Sequence, residues 1–269
     1  MIFNKSYRFR LYPTREQRIM FSKTFGCVRF IYNQMLAARL HGQLLTPAKF
    51  KNEFPWLKEV DSIALCNAQM NLANAFRNHK KNPKHFRRPV FKRRKNSRQR
   101  YSTNVIKGKD NLRIESNTIR LPKVGFVKFI PHRSTDAGGT LKSATVELTP
   151  SGKYFVAVHF EYESQAPERT SVKYVGLDYS MKELYVDSEG NRAKYPRYYR
   201  ASERKLAAMQ RQFSRKQPGS RNREKCRLKL AKLHEHVANQ RRDFLHKLSR
   251  KLVDTYDVIC IENLNMQNM

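Results

Sequence analysis

The sequence predicts an α/β plus β fold in two units: a small β-barrel with an inserted helical segment, followed by an α/β domain. Three observations predict it. Residues 6–12 and 101–163 contain short strand-like segments, residues 13–84 have helical spacing, and from residue 171 apolar strands alternate with helical segments. A chain of 269 residues is also long enough to divide into two domains.

Side-chain spacing marks the first strand and the helices that follow it. Residues 6–12 alternate apolar and basic side chains, which is typical of a half-buried strand with a basic outer face. Thr14 and Gln17 have the spacing of a capping box, so a helix is expected to begin there. A second helix is expected over about 62–79. We therefore expect a helix-turn-helix-like insert at 13–84.

A strongly basic segment follows these helices. Residues 77–100 contain twelve lysines and arginines and no acidic residue. A charge run is ordinarily a solvated linker, and residues 85–100 are predicted to be a basic linker. The interleaved aromatic side chains favour nucleic-acid contact, because phosphate binding and base stacking use these residue types. The candidate nucleic-acid-binding residues are Lys80, Lys81, Arg87, Arg88, Lys92, Arg93, Arg94, Arg98, Arg100 and Tyr101.

Short strands separated by turn residues are expected across 101–165. Pro150-Ser151-Gly152-Lys153 predicts a hairpin turn between two of them. Together with residues 1–12, these strands are expected to close the small barrel. Residues 164–170 are then predicted to be a linker into the second unit.

Two apolar strands that each end on an acidic residue distinguish the second unit. One covers 174–178 and ends on Asp178; the other covers 256–262 and ends on Glu262. Both are of the buried type, and a long helix is expected between them at about 222–255. Phosphodiester hydrolysis by divalent metals needs converging carboxylates, and Mg²⁺ prefers oxygen ligands. The two acids could equally cap strand ends, and alone they do not decide between these hypotheses.

The charge of the chain indicates its class of partner. Lysine and arginine number 55 against 22 aspartates and glutamates, giving a net charge of +33. A small soluble domain usually carries a net charge of roughly 2–8. This excess disfavours a neutral metabolic enzyme and favours binding to polyanions, nucleic acid well before anionic membrane. With 39% hydrophobic residues, the chain also has enough apolar material for a core, which disfavours a disordered basic tail.

Cysteine spacing and hydropathy set further expectations. Cys27, Cys66, Cys226 and Cys260 form no CxxC pair, so no zinc site and no disulfide framework are expected. No segment approaches the roughly 18 apolar residues of a membrane span, and the N-terminus lacks the apolar stretch of a signal peptide. We therefore expect a soluble, cytoplasmic protein with no membrane partner.

Six blocks of sequence follow one another across nearly the whole chain. They are Tyr-Arg-Phe-Arg-Leu-Tyr-Pro-Thr at 7–14, Val-Arg-Phe-Ile-Tyr-Asn at 28–33, Val-Gly-Leu-Asp-Tyr-Ser at 175–180, Asn-Arg-Glu-Lys at 222–225, Asn-Gln-Arg-Arg-Asp-Phe-Leu-His-Lys-Leu-Ser at 239–249 and Ile-Glu-Asn-Leu-Asn-Met at 261–266. Together they resemble the TnpB (OrfB) family, which bacterial insertion sequences encode and which is related to type V CRISPR effector nucleases.

The resemblance implies a division of labour. The barrel and the helical insert resemble wedge and recognition domains that hold a guide RNA and a double-stranded DNA target, and residues 171–269 resemble a RuvC (RNase H-like) nuclease. By motif match, Asp178 and Glu262 correspond to the first and second catalytic carboxylates, which bind Mg²⁺ (or Mn²⁺). The family is guided by a noncoding RNA from the element's own locus and cuts DNA. The resemblance also implies a bacterial protein that is associated with the nucleoid when it is bound to DNA.

One departure from the family pattern affects the expected activity. The family continues past the second carboxylate with a CxxC zinc-ribbon segment and a third catalytic aspartate, and this sequence ends at Met269 without them. The resemblance therefore implies a C-terminally truncated member with an incomplete nuclease domain and impaired cleavage. Two alternatives stay open: a nuclease-dead RNA-guided DNA-binding protein or regulator, and a generic basic DNA-binding accessory protein.

Overall fold

The computed structural model of the chain describes residues 1–94, 99–132, 138–163 and 172–264. The chain divides into two units, residues 1–165 and residues 166–269. The linker expected at 164–170 lies outside the described residues.

The first unit is built on a seven-stranded antiparallel sheet. Its strands are β1 (Ile2–Tyr12), β2 (Gln99–Asn104), β3 (Arg113–Glu115), β4 (Thr118–Leu121), β5 (Gly125–Ile130), β6 (Thr140–Leu148) and β7 (Tyr154–Glu163). Their spatial order is β2-β6-β7-β1-β5-β4-β3, so the N-terminal strand lies in the middle. β1 pairs with β7 over most of its length and with β5 near its C-terminal end. Within the described residues, no ladder joins the edge strands β2 and β3 to close a barrel.

The inner face of this sheet packs against helix α1 (Arg15–Leu40). Phe9 and Leu11 of β1 point inward and are 0% and 1% exposed, as the alternation of residues 6–12 predicts. Phe21 and Phe25 of α1 belong to the same apolar cluster. The basic side chains between these positions face outward because successive side chains of a strand alternate between its faces.

Helices follow β1 as far as residue 81. After α1 come α2 (Pro47–Glu53), a 3₁₀ turn (Pro55–Glu59) and α3 (Ser62–Lys81). The predicted capping box is present: Gln17 N–H donates to Thr14 Oγ1 at 3.3 Å, and Thr14 N–H donates to Gln17 Oε1 at 3.0 Å. The helices form a second apolar core of their own, whose buried members include Ile31, Leu36, Leu57, Leu65 and Leu72.

The second unit combines a small sheet with a long helical hairpin. Its elements are β8 (Tyr174–Tyr179), β9 (Tyr185–Asp187), α4 (Tyr198–Ser214), α5 (Arg221–Thr255) and β10 (Val258–Ile261). The strand order is β10-β8-β9, with β10 parallel and β9 antiparallel to β8. α4 and α5 pack on each other, with Leu206, Leu230 and Val237 as their buried side chains. No helix in the described residues combines the length and the apolar character needed to cross a bilayer.

Candidate functional site

The two candidate catalytic carboxylates lie at the C-terminal ends of two neighbouring parallel strands of the small sheet. In the β8–β10 ladder, Leu177 lies opposite Ile261. Asp178 is the next residue of β8, and Glu262 follows β10 directly. Paired strands lie about 4.8 Å apart, so these two residues are at the same level of the sheet. Both side chains are exposed, and an ion or a phosphate can therefore reach them.

The strand that precedes Glu262 is less buried than the sequence predicts. Val258 is 37% exposed and Ile261 75% exposed, whereas Val175 of β8 is 2% exposed. The physical reason is position: β10 lies at an edge of the three-stranded sheet, and β8 lies in its middle. Of the two strands expected to be of the buried type, β8 has a buried side chain and β10 does not.

The acidic residue of the neighbouring strand β9, Asp187, is engaged elsewhere. Asp187 pairs with Leu177 in the β8–β9 ladder, so its side chain faces the side opposite to that of Asp178. Its carboxylate accepts hydrogen bonds from the backbone N–H groups of Glu189, at 3.0 Å, and Asn191, at 2.7 Å. Among the described residues, no group of three or more His, Cys, Asp or Glu side chains is placed to hold a metal ion.

The donor set at the strand ends is therefore two exposed carboxylates. Mg²⁺ is commonly bound through one or two carboxylates and keeps several waters, with substrate phosphates completing the octahedron. Two carboxylate oxygens on adjacent strands fit that mode of binding. They do not form a closed protein cage.

Residues 82–94 of the basic segment form no helix or strand and residues 99–100 belong to β2, but the backbone of residues 82–94 is attached to the helices. Asn33 of α1 makes two hydrogen bonds with the main chain of Lys92: its Nδ2 donates to Lys92 O at 3.0 Å, and Lys92 N–H donates to Asn33 Oδ1 at 2.8 Å. His79 of α3 is hydrogen-bonded through Nδ1 to Phe86 O at 2.7 Å. The expected linker at 85–100 is thus anchored at residues 86 and 92.

Most of the candidate nucleic-acid-binding residues are on the surface. The exposed ones are Lys80, Lys81, Arg87, Arg88, Arg93, Arg94 and Arg100. Arg98 lies outside the described residues. Lys92 is half-buried, with its Nζ 3.7 Å from the centroid of the Tyr32 ring, and burial lowers the pKa of this ammonium group. The Lys92 charge therefore faces an aromatic ring of the protein.

Tyr101, a candidate nucleic-acid-binding residue, is buried instead. It is 3% exposed and packs in the core of the first unit, with its ring centroid 5.8 Å from that of Phe25 and 6.3 Å from that of Phe21. Because β2 alternates its side chains between two faces, Tyr101 and Thr103 point inward while Arg100 points outward. Tyr101 is consequently not available to stack on a base.

Two features of the structure were not predicted from the sequence. The α4–α5 hairpin, residues 198–255, carries seventeen lysines and arginines against five acidic residues; a count of charge by helix would have found it. The attachment of Lys92 to Asn33 joins residues far apart in the chain, and only the position of Asn33 at the end of the 28–33 block hinted at a role for it.

Comparison with known proteins adds the family. Residues 157–269 match the OrfB family of IS605, described as "Probable transposase", and residues 1–42 match the "Helix-turn-helix domain" of that family. In residues 1–42 the structure has strand β1 and one helix, α1, rather than two helices joined by a turn.

Two relatives align with almost all of the chain. A Streptomyces pristinaespiralis protein called "Putative RNA-guided DNA endonuclease" is 31% identical over 281 residues, covering 98% of this chain and 68% of the relative. InsQ of Escherichia coli K12, with the same description, is 30% identical over 280 residues, covering 98% of this chain and 67% of the relative.

A solved structure has a similar fold. One chain in a cryo-EM structure of the Cas12f1–sgRNA–target DNA complex matches with a TM-score of 0.58 at 11% identity, covering 98% of this chain and 81% of that chain. At this identity the likeness concerns the fold, which is mixed α/β with a large antiparallel sheet. From the family matches and the two relatives, the chain belongs to the TnpB (OrfB) family of insertion-sequence proteins.

Proposed function

We propose that this chain is an RNA-guided DNA-binding protein with a metal-dependent nuclease centre at Asp178 and Glu262. The observation that carries the proposal is the parallel pairing of Leu177 with Ile261, which brings the two acids to one edge of a sheet. Neighbouring carboxylates repel each other, and a bound cation offsets that repulsion. The descriptions of the relatives and the nucleic acids in the Cas12f1 complex support the same class of partners.

The family resemblance suggests a role for each part of the chain. Residues 1–12 and 101–165 are the wedge-like domain, built over its described residues on an open sheet rather than a closed barrel. Residues 13–84 are the recognition domain, residues 85–100 the basic segment and residues 171–269 the RuvC-like nuclease domain. A noncoding RNA from the element's own locus is the guide, and its base pairing with double-stranded DNA provides sequence specificity. The net charge of +33 supports extensive contact with the phosphates of both nucleic acids.

Asp178 and Glu262 bind the metal through their carboxylate oxygens. A bound Mg²⁺ or Mn²⁺ supplies Lewis-acid activation of a phosphodiester and a water of lowered pKa. Asp178 is paired with Val186 of β9, and the ladder between β8 and β10 ends at the residue before it. Glu262 comes directly after the last paired residue of β10, Ile261. The exposure of both side chains leaves a phosphate free to approach them.

Cleavage by residues 1–269 is weak in this proposal. The described residues supply two carboxylates at this edge and no third metal-ligating side chain, whereas a functional site must be held to within about 0.5 Å by its supporting groups. Electrostatic stabilisation of the transition state, of the order of 2.7–4 kcal/mol for one well-placed group, depends on that precision. The second candidate function, guide-dependent binding without cutting, is favoured by the same observation.

One experiment tests the partners and the chemistry together. The protein is purified from its native host, the copurified RNA is sequenced, and the complex is offered DNA with and without complementarity to that RNA. We expect a single structured transcript from the protein's own locus and binding that follows complementarity. Cutting should be slow at most, and any cutting that is observed should be lost in Asp178→Ala without weaker binding. A copurified RNA population that simply follows cellular abundance would contradict the guided function and favour a generic basic DNA-binding protein.

A further inference from the structure

The basic segment is held in place by an interaction that does not use its charges. Asn33 binds both main-chain polar groups of Lys92, through bonds of 3.0 Å and 2.8 Å. This is the pattern that a neighbouring strand would supply, provided here by one amide side chain. The backbone at residue 92 is consequently fixed although the segment has no strand or helix there.

The side chain of Lys92 strengthens the same attachment. Its ammonium group lies 3.7 Å from the centroid of the Tyr32 ring. Tyr32 is 5% exposed and belongs to the apolar core of the helices, so its ring cannot move away without disturbing that core. A cation over an aromatic face is attracted to it, more strongly when both are removed from water. Tyr32 and Asn33 are consecutive residues of α1, and together they hold Lys92 in a fixed position.

The basic segment is also attached to the protein on both sides of Lys92. Toward the N-terminus, His79 of α3 is hydrogen-bonded to Phe86 O at 2.7 Å. Toward the C-terminus, the Gln99 side chain of β2 donates to Arg94 O at 3.1 Å, and Arg29 of α1 donates to Gln99 Oε1 at 3.4 Å. The backbone is therefore held at three points over a stretch whose arginines are exposed: Arg87, Arg88, Arg93 and Arg94.

We propose that Tyr32 and Asn33 are positioning residues that hold residues 86–94 as a preformed cationic loop, ready to bind the phosphodiester backbone of a nucleic acid. The inference rests on the proposed function, of which it specifies one binding surface. A loop that is already ordered loses less conformational entropy on binding than one that must become ordered, so its affinity is higher for the same phosphate contacts.

If Asn33 only positions the loop, replacing it lowers the affinity for nucleic acid but does not change the number of phosphates that the loop contacts. In Asn33→Ala the arginines remain, so the slope of log K against log salt stays the same, while the affinity falls about tenfold because the loop must be ordered on binding. In Lys92→Met the slope also stays the same, because the ammonium group of Lys92 faces Tyr32 rather than a phosphate. The two probes are a mixed-sequence 30-base-pair DNA duplex and a single-stranded RNA of similar length; a larger loss on one identifies the nucleic acid that this loop binds.

The rate of trypsin cleavage measures how well the loop is ordered in the free protein. Cleavage after Arg93 and Arg94, followed by mass spectrometry of the free protein, is expected to be about tenfold faster in Asn33→Ala than in the wild type. Asn74→Ala is the matched control, since Asn74 is an exposed asparagine of the neighbouring helix α3. Weaker binding with no change in cleavage would mean that Asn33 touches the nucleic acid directly, and would overturn the proposal. A slope that falls in Asn33→Ala would overturn it as well.

A measurement on the wild type covers the case in which Asn33→Ala does not fold. The proposal requires that the amide of Lys92 is protected from hydrogen exchange in the free protein and stays protected in the complex. An amide that exchanges freely until DNA or RNA is added would show that the loop forms on binding and would refute the inference. Because these readouts need no guide, a failure of RNA-guided targeting leaves them unaffected, and the two failures can be told apart.

Discussion

Leu177 and Ile261 lie opposite each other in the parallel ladder of the small sheet, and each is followed by an acidic residue. The far end of the ladder is fixed by reciprocal contacts: Lys173 N–H donates to Asp257 Oδ2 at 2.8 Å, and Asp257 N–H donates to Lys173 O at 2.9 Å. A strand shifted by one residue would turn every side chain to the other face. This contact therefore maintains the register on which the position of Glu262 depends.

The first prediction concerns metal affinity. Asp178→Asn and Glu262→Gln each replace a charged oxygen ligand by a neutral amide of similar shape. We expect each to weaken Mn²⁺ binding at least about tenfold, because substitutions even in the groups that support metal ligands cost 10–100-fold. The measurement is a Mn²⁺ titration followed by electron paramagnetic resonance.

Asp187→Asn is the control for this titration. Asp187 lies on the neighbouring strand β9, but its carboxylate accepts hydrogen bonds within the turn at 187–191 and faces the opposite side of the sheet. It should leave Mn²⁺ affinity unchanged. Loss of affinity in Asp187→Asn, or none in Asp178→Asn, would place the metal elsewhere.

The second prediction concerns salt dependence. Replacing Arg87, Arg88, Arg93 and Arg94 by alanine should flatten the plot of log K against log salt for duplex DNA by about 0.9 for each phosphate contact that is lost. The measurement is fluorescence anisotropy between 50 and 300 mM salt, approximately. An unchanged slope would make the segment a solvated linker after all.

Lys23→Ala controls for the loss of positive charge in general. Lys23 lies on α1 and is paired with Glu59, with 2.7 Å between Nζ and Oε2. An exposed pair of this kind contributes little to stability, and its cation is already engaged. The slope should therefore be the same as in the wild type.

Local patterns were sufficient to predict some elements of the fold. The capping box at Thr14 and Gln17 and the inward alternation of Phe9 and Leu11 are confirmed, because both depend on residues close together in the chain. Such local patterns could not predict that β1 lies in the middle of the sheet. That position follows from pairing with β5 and β7, more than a hundred residues later.

Long-range packing also explains what was wrong. Tyr101 follows a run of basic residues in the sequence, which suggested a nucleic-acid contact, but the register of β2 against β6 turns its ring into the core. Ile261 belongs to an apolar strand, yet it is exposed because β10 has only one neighbour. Neither fact can be derived from the composition of the segment itself.

The third prediction concerns acid stability. Asp61 is 4% exposed at the N-terminus of α3, where it accepts a hydrogen bond from Ile63 N–H at 2.9 Å. Burial is the largest influence on this carboxyl and raises its pKa above the usual 3.8. The folded state then binds the proton more tightly than the unfolded state. The free energy of unfolding therefore falls as pH rises from 3.8 through the raised folded pKa.

Asp61→Asn keeps an oxygen that can cap the helix but cannot ionise. Its Tm relative to the wild type should rise across that pH interval, measured by thermal unfolding at several pH values. Asp61→Ala should have the same pH dependence as Asp61→Asn. Its free energy of unfolding should be lower than that of Asp61→Asn by about 1 kcal/mol at every pH, because the cap is lost. A Tm difference between Asp61→Asn and the wild type that is independent of pH would show that the carboxyl titrates normally.

The last prediction concerns the hydroxyl group of Tyr101. It is enclosed in the core, and no described group forms a hydrogen bond with it. A buried polar group without a partner costs about 1–3 kcal/mol, so Tyr101→Phe should raise the free energy of unfolding by about 1 kcal/mol and leave nucleic-acid affinity unchanged. Denaturant unfolding and anisotropy measure the two quantities, with Tyr12→Phe, at a tyrosine 47% exposed, as the neutral control. Burial raises the pKa of Tyr101, and the charge of Asp61 raises it further. A loss of stability would instead show that the hydroxyl donates to a neighbour such as Asp61.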